Sequence, residues 1–287
     1  LLAAPRWFAK EVQVGWIMQV SNAFGQVQGA MSYFVDAYTT IAQWCSVVRR
    51  LDGFNRHVGE ALDLKSDLMI DNASNITVGI ENVDVFLPNK NKDILIKDCT
   101  IDLMKYQSLL IMGASGVGKS TLLRTLAGLW PYAKGNVYLP KEEEFLFLPQ
   151  RPYLPLGSLR QAISYPVVEE VISEKYSDEE IKEILIACKL ENLADKLDIV
   201  DDWSRILSLG EQQRIAFVRI LLYRPEFVFL DEATSALDED LEGNLYDMLK
   251  IHLPNTKIIS IAHRSSLIAK HQAILRLKEK GCWEIHE

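Results

Sequence analysis

Two stretches carry residues whose types and order suit work on phosphate. Gly113-Ala114-Ser115-Gly116-Val117-Gly118-Lys119-Ser120 fits the pattern G-x-x-x-x-G-K-[ST]. It follows the apolar run Ser108–Met112 and precedes the helical run that begins at Thr121. In such a strand–loop–helix the glycines let backbone N–H groups approach phosphates, the lysine reaches the β- and γ-phosphates, and the serine hydroxyl ligates Mg2+. Residues 113–121 are therefore the predicted ATP-binding set, with Ser120 a metal ligand. A glycine turn before an ordinary helix is the weaker reading in this context.

The second stretch is Glu226-Phe227-Val228-Phe229-Leu230-Asp231-Glu232. Its four apolar residues predict a buried parallel strand that ends in two adjacent carboxylates. Neighbours on a strand point opposite ways, so the two acids are expected to have different tasks. Asp231 suits a contact behind a bound Mg2+. Glu232 suits polarising an attacking water, a step that depends on alignment more than on covalent chemistry.

The elements that must position these groups follow from the rest of the pattern. The chain has 287 residues, enough for one ordinary domain plus an extension. Its formal net charge of −8 argues against a nucleic-acid surface, which is usually basic. Cys45, Cys99, Cys188 and Cys282 are too scattered for a metal site or a disulfide framework. Residues 1–65 read as a long helix, 66–75 as a polar, β-poor linker, and 76–287 as alternating short strands and helices of an α/β domain.

Within the first region, residues 15–38 are rich in Val, Ile, Met, Phe, Trp and Ala but are interrupted by Gln19, Ser21, Asn22, Gln26, Gln28, Ser32 and Asp36. They fail the test of eighteen nearly uninterrupted apolar residues. Two readings stay open: a soluble amphipathic helix, or a membrane helix whose polar side faces a pathway or other helices. As a helix this segment spans ~36 Å, enough for a bilayer core. Trp7 and Phe8 would anchor one interface, and Arg49, Arg50 and Arg56 follow the other end as positive-inside residues do. The membrane helix is the preferred reading, with the N-terminus as the cut edge of a larger protein.

The octapeptide Leu207-Ser208-Leu209-Gly210-Glu211-Gln212-Gln213-Arg214 resembles the signature motif of ATP-binding-cassette (ABC) ATPases. The resemblance covers residues 76–287 in the family's order of elements. It implies a P-loop ABC cassette, a mixed sheet core with a helical subdomain at about 151–225, preceded here by a long membrane-type helix. It also implies roles for particular residues. Gln150 resembles the Q-loop glutamine that contacts Mg2+ or water, and Ser235–Asp238 the D-loop that crosses the dimer interface. His263 resembles the switch histidine at the γ-phosphate. Ser208, Gly210 and Glu211 would face a nucleotide held by a second subunit, since a helix N-terminus is a ready anion site. The implied catalytic set is Glu232, His263 and Gln150, and the implied metal set is Ser120, Gln150 and Asp231.

Two positions depart from the family's usual form. Leu209 stands where glycine is commonest, so its side chain must point away from the phosphate. Leu87, beside Phe86, stands at the position of the aromatic residue that stacks on adenine.

The stretch 152–166 and the lead-in Asp202-Trp203-Ser204 resemble peroxisomal subfamily D fatty-acyl half-transporters and bacterial relatives with an SbmA/BacA-like membrane domain. The stretch from Pro5 to Gly15, with Ala23–Gln28 and Ser32–Asp36, resembles the last membrane helix of the bacterial group. The resemblance implies an ATPase working as a dimer of identical half-transporters, anchored in a lipid bilayer through residues 15–38. It would sit in a membrane, the bacterial inner one, with its cassette in the cytosol. A soluble ABC ATPase acting in repair or translation is the alternative. A P-loop kinase or GTPase would have no use for 207–214 or 235–238.

Overall fold

The computed structural model describes residues 13–62, 67–71, 78–89, 93–141 and 144–287. The chain divides into two compact units, Leu1–Leu64 and Lys65–Glu287.

Among its described residues the first unit contains helix α1, Val14–Leu62, of 49 residues. At 1.5 Å per residue it is ~74 Å long. No helix among the described residues is long and apolar enough to cross a membrane. The polar residues between Gln19 and Ser32 are the reason, and the strict apolar test already failed on them in the sequence. Trp7 and Phe8, the expected interface anchors, lie outside the described residues.

The second unit contains two main sheets. One has the strand order β1-β5-β2-β3, with β1 Asp67–Asp71, β2 Gly79–Phe86, β3 Ile94–Asp102 and β5 Ala133–Tyr138. The other has the order β12-β11-β4-β10-β9-β6. Its strands are β4 Ser108–Gly113, β6 Phe145–Leu148, β9 Phe227–Asp231, β10 Lys257–Ile261, β11 Ala273–Leu277 and β12 Trp283–His286. All its pairings are parallel except β11 with β12. The mixed sheet core is thus as expected.

The expected linker is not β-poor throughout. Asp67–Asp71 pairs in parallel with β5, from Asp67 opposite Lys134 to Asp71 opposite Tyr138. Only Leu68 of these five residues is buried, so the edge strand has almost no apolar alternation to announce it.

Alternation along the six-stranded sheet fills two cores. Leu109 and Ile111 of β4, Phe227 and Phe229 of β9, and Ile259 and Ile261 of β10 face one side. Leu110, Val228, Leu230 and Ile258 face the other. Side chains of period two explain the division, and burial of both faces explains the continuous apolar runs. The first side is closed by helix α2, Lys119–Leu126, whose Leu122, Leu123 and Leu126 share its core with Ile80, Val83 and Val85 of β2. The phosphate-binding loop is therefore tied to a helix buried between the two sheets.

The second side is covered by helices, mostly in the predicted subdomain. Strand β7 (Gly157–Ser158) pairs with β8 (Val200–Asp201) beside α3 Leu159–Ser164, α4 Glu169–Lys175, α5 Asp178–Ala187 and α6 Trp203–Ile206. Helix α7, Leu209–Tyr223, runs through this core, and α8, Glu239–His252, packs beside it. Ser158, Ser177 and Ser208 each start a helix through a reciprocal capping box, which satisfies otherwise orphaned N–H groups. Arg219 of α7 donates to the carbonyls of Ala162 and Tyr153, fastening the 153–162 segment to the subdomain. Burial pushes the Cys99 and Cys188 thiols up to about 12, so both are protonated packing groups.

One buried polar chain links α8 to the sheet. Tyr246 donates to Ser260 Oγ (3.0 Å), and Ser260 lies 3.1 Å from His271 Nε2, whose Nδ1 faces the Leu267 carbonyl at 2.9 Å. Burial pushes His271 down to about 4 from an ordinary 6.5. Between those values the unfolded chain holds a proton that the folded chain lacks, so stability falls as pH drops from 6.5 toward 4. The loss reaches about 3 kcal/mol at most for that shift. Urea unfolding at pH 7 and pH 4.5 should show a pH-dependent component that His271→Gln removes.

Candidate nucleotide site

The parallel register sets the site. Ile261 lies opposite both Ile111 and Asp231, Leu230 opposite Leu148, and Gly113 opposite Leu277. The C-terminal ends of β4, β6, β9 and β10 are consequently level, the edge where ligands bind in open parallel sheets. Each strand delivers one part there: residues 113–120, Gln150, Asp231 with Glu232, and His263.

Glycine is required in the loop for space and for conformation. A Cβ on Gly113 would stand 2.6 Å from the Leu277 carbonyl oxygen. Gly118 caps α2 in the left-handed region, φ 107°, and no side chain caps that helix. Its first N–H groups are left to an anion, with the positive end of the helix dipole behind them. Lys119 Nζ sits 3.0 Å from the Gly113 and Ala114 carbonyl oxygens. Burial lowers its pKa, and the charge of Glu232 opposes that shift.

The two acids diverge, for a reason the strand pattern did not contain. Asp231 closes the strand, and its oxygens accept from Ser120 Oγ (2.6 Å) and Arg124 Nη2 (3.2 Å). Glu232 has already left the strand, with φ 52°. A left-handed non-glycine residue is uncommon and is held by its surroundings. Its carboxylate lies 2.9 Å from His263 Nε2 and accepts from Gln150 Nε2 at 3.2 Å. Gln150 also donates to Ser235 Oγ at 3.4 Å.

Ser120, Asp231, Gln150 and Glu232 thus gather hydroxyl, carboxylate and amide groups beside an ammonium and an uncapped helix end. That donor set fits a triphosphate with Mg2+, an ion that takes few protein ligands and completes its shell from phosphates and water. Among the described residues no cluster of three or more His, Cys, Asp or Glu could hold a metal by itself.

Ser208 is the N-cap of α7. It accepts from Glu211 N (3.3 Å) and donates to Glu211 Oε2 (2.7 Å). Gly210 fits closely: a Cβ there would lie 3.3 Å from the Ala236 carbonyl oxygen, which brings the signature turn against the segment before Asp238. Asp238 caps α8 by accepting from Leu241 N at 2.8 Å. Leu209 is 40% exposed. At the predicted adenine position, Leu87 is 37% exposed, and the Phe86 carbonyl accepts from Trp130 Nε1.

Several site residues escaped the sequence reading. Gln213, fully buried, donates to the Gln150 carbonyl (2.9 Å) and Ser235 Oγ (3.2 Å) and accepts from Ala236 N (2.9 Å). It lies inside the 207–214 octapeptide, a signal that was present. Arg124 is one helical turn past Ser120, on the face its position in α2 dictates.

The family described as ABC transporter matches residues 96–235, and the SbmA/BacA-like family matches residues 1–59. An ABC transporter ATP-binding protein of Haemophilus influenzae is 42% identical over 285 residues, covering 99% of this chain and 47% of the relative. ABC transporter D family member 2, chloroplastic, of Arabidopsis thaliana is 34% identical, covering 96% of this chain and 48% of the relative. The chain thus spans about half the length of these curated relatives. Among solved structures, a bacterial Atm1-family ABC exporter with ATP bound has a similar fold. Its TM-score is 0.58 at 24% identity, covering 70% of this chain and 37% of that one.

Proposed function

The chain belongs to the ABC transporters of the SbmA/BacA-like and subfamily D type, and on that premise we propose that it is the ATP-hydrolysing part of a membrane half-transporter. The observation that carries this reading is the placement of Glu232 between Gln150 and His263, level with the Ser120–Asp231 pair on one sheet edge.

In this reading residues 113–121 bind the triphosphate, Lys119 and the α2 N–H groups meeting its charge. Bound Mg2+ supplies electrostatic stabilisation of charge on the transferring phosphoryl group. Ser120 Oγ and the side-chain amide oxygen of Gln150 would hold the ion, and Asp231 would act behind it by orienting Ser120. Glu232 orients the attacking water, and His263 holds Glu232 and meets the γ-phosphate. Ser208, Gly210 and Glu211 begin α7 facing the nucleotide of a second identical chain, and Asp238 fixes the segment between the two sites. Closure of two chains on two ATP molecules would move the membrane segments, α1 being the last of them, and hydrolysis would reset them. The α1 helix would meet lipid through residues 15–38, its polar side against other helices, in the bacterial inner membrane with the cassette in the cytosol.

Flotation of the full-length protein in a density gradient, with its ATPase activity, tests this reading. It predicts Mg2+-dependent hydrolysis that floats with the lipid fraction. Activity recovered entirely in the soluble fraction would favour a soluble ABC ATPase instead.

A further inference from the structure

Glu242 is an acid of α8 whose side chain is only 3% exposed, and nothing in the mechanism above uses it. One of its oxygens accepts from Thr234 Oγ1, and the other accepts from Arg264 Nη1 at 3.2 Å. Thr234 lies two residues past Glu232, and Arg264 follows His263. The single carboxylate thus joins the two segments that carry the hydrolytic pair. We propose that Glu242 is a positioning residue for ATP hydrolysis, holding the Glu232 and His263 segments in register. This assignment rests on the reading of Glu232 and His263 as the groups that act on water and phosphate.

Three further features support it. First, Glu232 sits at φ 52°, a conformation that persists only where neighbouring contacts fix it. The residues after it form turns, Ser235 N to the Glu232 carbonyl and Leu237 N to the Thr234 carbonyl. Thr234 ties those turns to α8 through Glu242, as Ser235 ties them to Gln213 of α7.

Second, α8 is itself anchored at both ends of the clamp. Asp238 caps its first turn, and Tyr246, one turn beyond Glu242, bonds Ser260 of β10, three residues before His263. The carboxylate is therefore presented from a rigid element. Third, Glu242 and Thr234 line a cavity of about 200 Å3 whose other walls include Glu232, His263 and Arg264. Loss of the clamp would leave both catalytic segments room to shift.

A buried ion pair kept only for folding would behave differently. Breaking it would lower stability, and nucleotide binding and turnover would follow. A positioning role acts on the chemical step, where a displacement of about 1 Å costs roughly 100-fold.

The test uses the full-length protein with Glu242→Gln, Thr234→Val and Thr234→Ser, each also combined with Glu232→Gln. Glu242→Gln and Thr234→Val are expected to lower kcat roughly 10- to 100-fold, with KM for ATP within about twofold. Thr234→Ser, which restores the hydroxyl, is expected to return kcat to within about twofold of wild type. In the Glu232→Gln background the further loss should be much smaller than in wild type, the remainder being the part that acts through His263, because groups acting through a shared residue are not additive. Should Glu242→Gln fail to fold, the two Thr234 variants carry the comparison, with thermal unfolding as the control.

Unchanged kcat in Thr234→Val and Glu242→Gln would overturn the proposal. So would losses of kcat that multiply with Glu232→Gln, or that are matched by a proportional rise in KM. Wild-type turnover in Glu232→Gln alone would instead remove the reading of Glu232, and the clamp with it.

Discussion

Glu232→Gln is expected to lower ATP turnover at least about 100-fold while ATP affinity changes by less than about threefold. The substitution keeps the side chain's size, so the left-handed backbone at 232 faces no new demand. It also keeps an oxygen to accept from Gln150 and an amide to pair with His263, the two partners of the present carboxylate. What it removes is the negative charge that orients and polarises water. The phosphate-binding loop does not depend on that charge for its geometry: Lys119 is held by the Gly113 and Ala114 carbonyls, and Ser120 by Asp231. Steady-state hydrolysis with equilibrium ATP binding on the same preparation separates the two effects. Turnover at the wild-type rate would remove Glu232 from the chemistry.

The second large effect is expected at Ser208, where two roles can be told apart by size. As the N-cap of α7, with its box to Glu211, the hydroxyl is worth about 1 kcal/mol of stability. As a group facing a partner's γ-phosphate, it controls turnover. Ser208→Asp keeps an acceptor for the first N–H groups of the helix, loses the hydroxyl that donates to Glu211, and places a carboxylate where the phosphate must come. Thermal stability should therefore fall by about 1 kcal/mol, ATP binding to residues 113–121 should persist, and turnover should fall at least about 100-fold. Normal turnover in Ser208→Asp would reduce the signature motif here to a helix start.

How much of this was legible in the sequence depends on the range of the contact involved. The loop at 113–120 is local: glycines, lysine and serine within eight residues, and strand and helix directly on either side. The apolar run 227–230 likewise announced a strand buried on both faces, and the fold confirms it. Divergence of Asp231 and Glu232 was expected from strand alternation, but it arises because Glu232 leaves the strand in a left-handed conformation. Strand β1 was missed because its one buried residue, Leu68, sits among polar and exposed neighbours. Its pairing with β5 depends on backbone hydrogen bonds that leave no side-chain pattern.

Gln213 and Glu242 were missed for a related reason. A buried glutamine or glutamate has no periodic signal, and its partners are brought to it by the tertiary fold. The N-terminal helix shows the opposite case. Its length was readable, but hydropathy alone gives no span, because the polar residues that would face other helices lower the average.

The shared ATP site is the central claim, and sedimentation velocity of this chain carrying Glu232→Gln, titrated with Mg-ATP, tests it most directly. The prediction is a nucleotide-dependent dimer holding one ATP per chain, which Ser208→Asp abolishes without abolishing ATP binding. An ATP-saturated chain that sediments as a monomer at every concentration would contradict it.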